Sequence, residues 1–303
     1  MIKIIVSGLH GYIGTRLLSL GRDLGIIDLS RKSRRPVHPN IINSVKCDIA
    51  DKNEVFRALS ESESNTVVHL AGKTHIDRCE KDRLLGKKSE SWKINATGTQ
   101  NLAQACKELN KRLVYISTEC VFDGKKGFYR ETDKPDPVNW YGITKYAGEK
   151  KIMESGVNST IIRSVLAYGA PLDSDFDPLR IFYKKLKSGK NLEFVCDQKI
   201  SYTFIDDLVS AIILVIRKPV PGIFHFASPR AISPFDFARN ITDCFFPSRP
   251  LKRVSLKNYF GKSSHYRLKN ASLSSEKFKK EFGIQARSLS EVLPEIKSYF
   301  SSV

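Results

Sequence analysis

Two weak acids stand four residues apart in the stretch WYGITKYAGEK: Tyr141 and Lys145. Both are almost fully protonated near neutral pH, with usual pKa values of about 10 and about 10.4. On a helix this spacing places them on one face, a turn apart. The chemistry it permits is proton delivery. Reducing a ketone by hydride leaves an alkoxide that must be protonated in the same event. A phenol serves as that acid when its phenolate is stabilised, and the Lys145 ammonium does this through the opposite-charge effect. Thr118, closing the apolar run RLVYIST, adds a hydroxyl that can hydrogen-bond the same carbonyl oxygen, polarising and orienting it. Taken alone, Tyr141 and Lys145 read better as a solvated pair on a polar helix face.

A glycine-rich stretch argues for the chemistry. VSGLHGYIG sets Gly8, Gly11 and Gly14 at G-x-x-G-x-x-G spacing after a first strand, with Tyr12 and Ile13 leading into a helix. Glycines there permit a tight turn and let backbone N–H groups approach a diphosphate at a helix N-terminus. A dinucleotide such as NADP(H) or NAD(H) is the expected occupant. Strand two, IIDLSRKSRR, selects between them. Counting that strand as Ile26 to Leu29, its tip is Ser30, followed by Arg31 and Lys32. A hydroxyl and two cations suit a ribose 2′-phosphate, so NADP(H) is preferred over NAD(H). Were the strand to end two residues earlier, Asp28 would accept from a free 2′-hydroxyl and NAD would return. KCDIAD then offers Asp48 and Ile49 for the adenine edge and face, the alternative being a plain strand end with a helix cap at Asp51.

These residues need a scaffold, and the chain supplies a recognisable one. Its 303 residues, 41% hydrophobic and 27% charged, suffice for one large domain or two interleaved ones. Short β-rich runs (KIIVSG, GIIDLS, SVKCD, TVVHLAG, RLVYIST, STIIRSV, GIFHFAS) alternate with helical patterns, as a parallel α/β sheet requires. The strands are apolar without alternation, which implies cover on both faces. The expected fold is a Rossmann-type doubly wound sheet over 1–169 and 201–228, with a smaller irregular α/β lobe over 170–200 and 229–303. The segment PLDSDFDPLRIFYKKLKSGKNLEFV reads as loop-rich. Six scattered cysteines without a C-x-x-C pair form neither a disulfide framework nor a zinc site. The net charge of +18 is spread along the chain without aromatic interleaving, so a solvated basic surface is expected and no nucleic-acid partner. LVSAIILVI is too short to span a bilayer, and the N-terminus lacks a secretory layout, so a cytoplasmic location is the expectation.

GLHGYIG, HLAG, NATGTQNLA, STECVFDG and YGITK together resemble the extended short-chain dehydrogenase/reductase family. NWYGITKYAGEK, Asp197–Gln198, YTFIDDLVSAI and YRLKNASLSSEKFKKEFGI are similar to its dTDP-4-dehydrorhamnose reductase branch, and the likeness runs through nearly the whole chain in order. The resemblance implies an NADP-dependent oxidoreductase acting on the 4-keto group of a nucleotide-linked 4-keto-6-deoxyhexose, in deoxysugar and surface-polysaccharide synthesis. It implies that Thr118, Tyr141 and Lys145 are catalytic, that Lys145 also holds the nicotinamide ribose, and that Ala71, Gly72 and Lys73 lie along the cofactor. Asn95 would fix the fourth strand to the active-site helix, and a homodimer would form through the helices starting near Asn95 and Tyr141. The departures fall near the substrate: Glu119 and Cys120 follow Thr118, Leu166 replaces a usual Trp, Tyr202 lies where a G-x-P-T motif is usual, and RPKN becomes RLKN from Arg267. Glu119, Leu166, Tyr202 and Arg267, with Thr118, are therefore the expected substrate contacts. A same-fold epimerase or dehydratase, or a non-catalytic NADP-binding regulatory homologue, is the rival reading. Dehydratases carry an acidic pair after the Thr, and Glu119–Cys120 supplies one carboxylate.

Overall fold

The computed structural model describes residues 1–32, 38–169, 177–189, 192–247 and 249–301. The chain opens with β1 (Ile2–Ser7), α1 (Tyr12–Leu20), β2 (Leu24–Ser30), β3 (Ile41–Lys46), α2 (Lys52–Ser60) and β4 (Thr66–His69). Then come α3 (Ile76–Asp82), α4 (Glu90–Trp92), α5 (Thr99–Glu108), β5 (Arg112–Thr118), α6 (Trp140–Ser155) and β6 (Ser159–Ser164). The remainder comprises β7 (Ala167–Tyr168), α7 (Pro178–Ser188), β8 (Glu193–Val195), β9 (Lys199–Ile200), β10 (Thr203–Phe204), α8 (Ile205–Arg217) and β11 (Gly222–Phe226). After these lie α9 (Pro234–Phe245), β12 (Lys252–Val254), α10 (Leu256–Phe260), β13 (Asn270–Ala271), α11 (Glu276–Phe282) and α12 (Leu289–Ser301).

Seven strands form one sheet in the order β11-β6-β5-β4-β1-β2-β3, and the pairs from β3 to β5 are parallel. This is the expected doubly wound α/β architecture. Ile4 to Val6 and Leu24 to Leu29 are buried at consecutive positions, so helices cover both faces as the apolar runs implied. Strand order reverses between β1 and β4. The loops leaving their carboxyl ends therefore border the crevice where such sheets receive ligands.

The first compact unit comprises 1–121, 139–163 and 212–224. Its core brings Ile5, Val67 and Leu113 of the sheet against Val55 and Leu59 of α2 and Leu102 of α5. Helices α5 and α6 approach closely because Gly148 has no side chain; a Cβ there would lie 2.4 Å from the Asn95 carbonyl oxygen. The second unit comprises 122–138, 164–211 and 225–303, so its edges differ from boundaries expected at 169, 201 and 228. Among the described residues it holds three two-stranded parallel pairs, β7 with β10, β8 with β12 and β9 with β13.

The loop-rich reading of 171–195 needs correction. Residues 178–188 form helix α7, started by the Asp177 side chain accepting from Leu179 N–H at 2.9 Å and by Pro178 at the first turn. Gly189 ends it in the left-handed conformation at φ +69°. Those stop and start signals were present in the sequence, but the run of charges between them hid the apolar face. Residues 170–176 and 190–191 lie outside the described residues. Among the described residues, no helix is long and apolar enough to cross a membrane.

Candidate active site

The glycine loop leaves β1 with Gly8 at φ +81°, a conformation that disfavours any residue with a side chain. A Cβ at Gly8 would lie 2.4 Å from Ala71 N, and one at Gly14 would lie 2.2 Å from Leu9 O. Both glycines are therefore fixed by close backbone approach. Tyr12 and Ile13 occupy the first positions of α1 behind Gly11, and its first turn carries no acidic residue. The open N–H groups and the positive end of the helix dipole thus meet no competing carboxylate of their own turn.

Strand β2 runs two residues further at its start than expected and ends at Ser30. Asp28 consequently lies inside the strand, fully buried, where its Oδ2 is bonded by His10 Nε2 at 2.9 Å and Ser44 Oγ at 3.3 Å. It is not at the tip, and its Oδ1 is a buried oxygen without a hydrogen-bond partner in the structure. The tip is Ser30, whose hydroxyl donates to Lys32 O at 2.7 Å, followed by the exposed Arg31. Glu90 faces two of the cations, Lys73 at 2.8 Å and Arg31 at 3.9 Å. Asp48 Oδ1 accepts from Ala50 N–H, while Ile49 is buried in the core against Gly98. Asp51 does cap α2, accepting from Asn53 and Glu54 N–H at 2.8 and 3.0 Å.

Ala71, Gly72 and Lys73 follow β4, and Asn95 clamps them. Its Oδ1 accepts from Lys73 N–H at 2.8 Å, and its Nδ2 donates to Lys73 O and to Thr144 Oγ1 of α6, both at 2.9 Å. Asn95 can reach both because the chain widens to a π-helical turn over Lys93–Gly98, a local distortion frequent at functional sites.

At the carboxyl end of β5, Thr118 Oγ1 donates to Glu119 Oε2 at 2.8 Å and accepts from Cys120 N–H at 3.2 Å. Tyr141 of α6 has Thr118 among the neighbours that act on its phenol. One turn on, Lys145 Nζ donates to Ile116 O at 2.7 Å and lies 4.0 Å from the centre of the Tyr115 ring. All three expected catalytic side chains are buried. Burial, reinforced by Cys120 and Glu119, holds the Tyr141 phenol well above its usual range. Desolvation lowers Lys145 to about 7, against the opposing pull of Glu149. The expectation of a phenol already made more acidic by Lys145 is therefore corrected: desolvation outweighs the charge effect, and Lys145 is engaged with a backbone carbonyl.

Similarity places the chain as well. The family model described as RmlD substrate binding domain matches residues 2–301. The chain belongs to this RmlD family. It is 27% identical to dTDP-4-dehydrorhamnose reductase of Aggregatibacter actinomycetemcomitans, covering 99% of each. It is 30% identical to the spore coat polysaccharide biosynthesis protein SpsK of Bacillus subtilis, over 97% of this chain and 96% of that one. The crystal structure of dTDP-4-dehydrorhamnose reductase from Bacillus anthracis, in complex with NADP, matches with a TM-score of 0.84 and 26% identity over 100% of both chains.

Within this RmlD-family chain the expected substrate contacts fare differently. Leu166 is 45% exposed. Tyr202 is a core residue of the second unit, 3% exposed, with its ring 4.4 Å from Phe237 and edge-on to Tyr168 at 6.3 Å. An apolar aromatic cluster has claimed it, so an exposed substrate contact by Tyr202 is not what this structure holds. Arg267 is half-buried, with its guanidinium 4.6 Å from the centre of the Phe260 ring.

His69, the last residue of β4, is a buried histidine with both ring nitrogens engaged. Thr99 Oγ1 donates to Asn95 O at 2.8 Å, so it receives the His69 Nε2–H at 2.9 Å; Nδ1 then accepts from Ser7 Oγ at 2.7 Å. The ring also stacks on Tyr115 at 5.1 Å, behind Lys145. Burial, then the Lys145 charge, holds His69 well below its usual value. The unfolded chain thus takes up a proton near pH 6.5 that the folded chain refuses, so stability is full above that pH and falls below it. We expect the wild type to lose up to about 1.4 kcal/mol more per pH unit than His69→Gln on acidification below 6.5. Urea unfolding from pH 7 to 5 measures this, and parallel losses in the two proteins would disprove it.

Proposed function

We propose that this chain reduces the 4-keto group of a nucleotide-linked 4-keto-6-deoxyhexose with NADPH, as a dTDP-4-dehydrorhamnose reductase-like enzyme of cytoplasmic deoxysugar and polysaccharide synthesis. The observation that carries the reading is the meeting of Thr118, Tyr141 and Lys145 at the carboxyl end of β5 and the start of α6, on the sheet edge that also carries the glycine loop. The relatives' names and the NADP complex of the Bacillus anthracis reductase support it. The residues fit the cofactor: Gly8, Gly11, Tyr12, Ile13 and Gly14 would hold the diphosphate, and Ser30, Arg31 and Lys32 the 2′-phosphate. The burial of Asp28 two residues short of the strand tip, with Oδ2 held by His10 and Ser44, supports the 2′-phosphate reading over a free 2′-hydroxyl. The second unit would serve as the substrate lobe, and two copies would pair through α5 and α6.

When bound, NADPH supplies the hydride that joins the C4 carbonyl carbon. Tyr141 gives its phenolic proton to the oxygen at C4, and Thr118 hydrogen-bonds that oxygen. Lys145, brought to about 7 by burial, is a cation at neutral pH or just below and stabilises the phenolate left behind. Solvent protons then restore the phenol. With dTDP-4-dehydrorhamnose, the purified protein is expected to consume NADPH, seen as loss of reduced-nicotinamide absorbance, and to prefer it to NADH. Absence of turnover with every 4-keto nucleotide sugar offered ends this reading.

A further inference from the structure

Thr118 has one proton to give, and Glu119 competes for it. The Glu119 carboxyl makes two contacts, Oε2 with Thr118 Oγ1 at 2.8 Å and Oε1 with Cys120 Sγ at 3.6 Å. The Thr118 oxygen already accepts from Cys120 N–H at 3.2 Å, which leaves one lone pair and one proton to assign. With Glu119 ionised, the Thr118 proton points into the carboxylate, and the remaining lone pair faces Tyr141. With Glu119 protonated, its own O–H fills that lone pair, and the Thr118 proton is released toward Tyr141 or a carbonyl oxygen. The Thr118–Glu119 contact at 2.8 Å suits a proton on either oxygen, so these two side chains need not move between the arrangements.

We propose that Glu119 is a positioning residue whose proton decides whether the Thr118 hydroxyl is offered to the substrate carbonyl. This rests on the reductase reading given above. The protonated form is the productive one, because a carbonyl oxygen gathering negative charge needs a donor and not a lone pair. Groups facing Glu119 favour that form. Cys120 beside it and Tyr141 from α6 are both kept neutral by burial, and Asn139 at the start of α6 holds the Cys120 thiol. Among the described residues no cation pairs with Glu119, and Lys145 is occupied with Ile116 O. Desolvation of the carboxyl accordingly raises Glu119 above its usual value, against the pull of Thr118. A single carboxylate in this place, followed by a thiol, therefore acts through Thr118 and not on the sugar.

The test is the pH profile of kcat/KM for dTDP-4-dehydrorhamnose in wild type and Glu119→Gln. The Gln amide is a permanent donor to Thr118 and cannot titrate. Wild type should lose activity about tenfold per pH unit above the Glu119 transition. Glu119→Gln should lack this limb, keep any limb from Lys145, and bind NADPH as before. Identical profiles overturn the proposal. A second measurement needs no turnover: infrared difference spectra of the free protein should show a protonated carboxyl band that is absent in Glu119→Gln and shifted in Thr118→Val. Absence of the band, or a band insensitive to Thr118→Val, overturns the proposal too. No turnover by wild type at any pH sinks the reductase reading instead, while the infrared result still decides on Glu119.

Discussion

Tyr141→Phe lowers turnover by about a hundred- to ten-thousandfold, the range expected when a positioned general acid is removed, while NADPH binding and melting temperature stay close to wild type. The substitution deletes one oxygen from a ring that is 9% exposed, so the phenyl group keeps its packing on α6. What disappears is the phenolic proton donor beside Cys120, Glu119 and Thr118. The same three side chains set the pH dependence. The Tyr141 phenol is held well above its usual range and keeps its proton throughout neutral pH, so its ionisation does not shape the profile. Lys145 is the member of the set that titrates close to neutrality, at about 7. Its lowered value means the stabilising charge is present below that pH and fades above it. Steady-state rates and thermal melts on the two proteins decide the matter. A Tyr141→Phe protein retaining most of its turnover would remove Tyr141 from the role of acid.

Helix α6 shows why the site could be read from the sequence while much of its setting could not. The helix begins and ends where WYGITKYAGEKKIMES does. Asn139 caps it by accepting from Gly142 N–H at 2.7 Å, and Gly156 closes it at φ +63°. Yet Tyr141, Lys145 and Glu149 all turn inward, so the helix carries no clean apolar stripe. Spacing of chemically meaningful residues located it where hydrophobic periodicity could not. Strands β1, β4, β5 and β6 were legible because a buried parallel strand must be an apolar run. Strand β3 was placed a few residues late, at SVKCD, because its Ile41–Lys46 span is mostly exposed and carries no such run.

Other features depended on contacts across long stretches of chain. Asp28 illustrates this: its place inside the strand, and its Oδ2 bond to His10, depend on pairing with β3 that local sequence does not show. Tyr202 followed the same logic in the second unit. A Tyr in a substrate-side motif looks like a binding residue, but Tyr168 and Phe237, far apart in sequence, made it core. Short strands such as β9 and β13, two residues each, carry too little pattern to be read at all.

The other large effect lies behind the site. Arg163 of β6 and Glu149 of α6 form a two-point ion pair, Nε to Oε1 at 2.9 Å and Nη2 to Oε2 at 2.6 Å, with side chains only 2% and 0% exposed. Neither charge has water to fall back on. Removing one partner strands the other, which costs about 3–5 kcal/mol, whereas replacing both by apolar groups of similar volume is often near neutral. Glu149→Ala should therefore lower the melting temperature by roughly 10 °C at the usual 2–4 °C per kcal/mol for a unit of this size. Glu149→Leu combined with Arg163→Met should recover most of that loss. Yet the double variant should not recover Lys145, because Glu149 also raises the lysine toward its charged form. In both variants Lys145 falls further below about 7, and turnover should fade at lower pH than in wild type. Stability and pH profile thus separate the pair's two effects: the first follows the unmatched charge, the second follows Glu149 alone. If the double variant restores the pH profile along with the melting temperature, Glu149 acts on packing only.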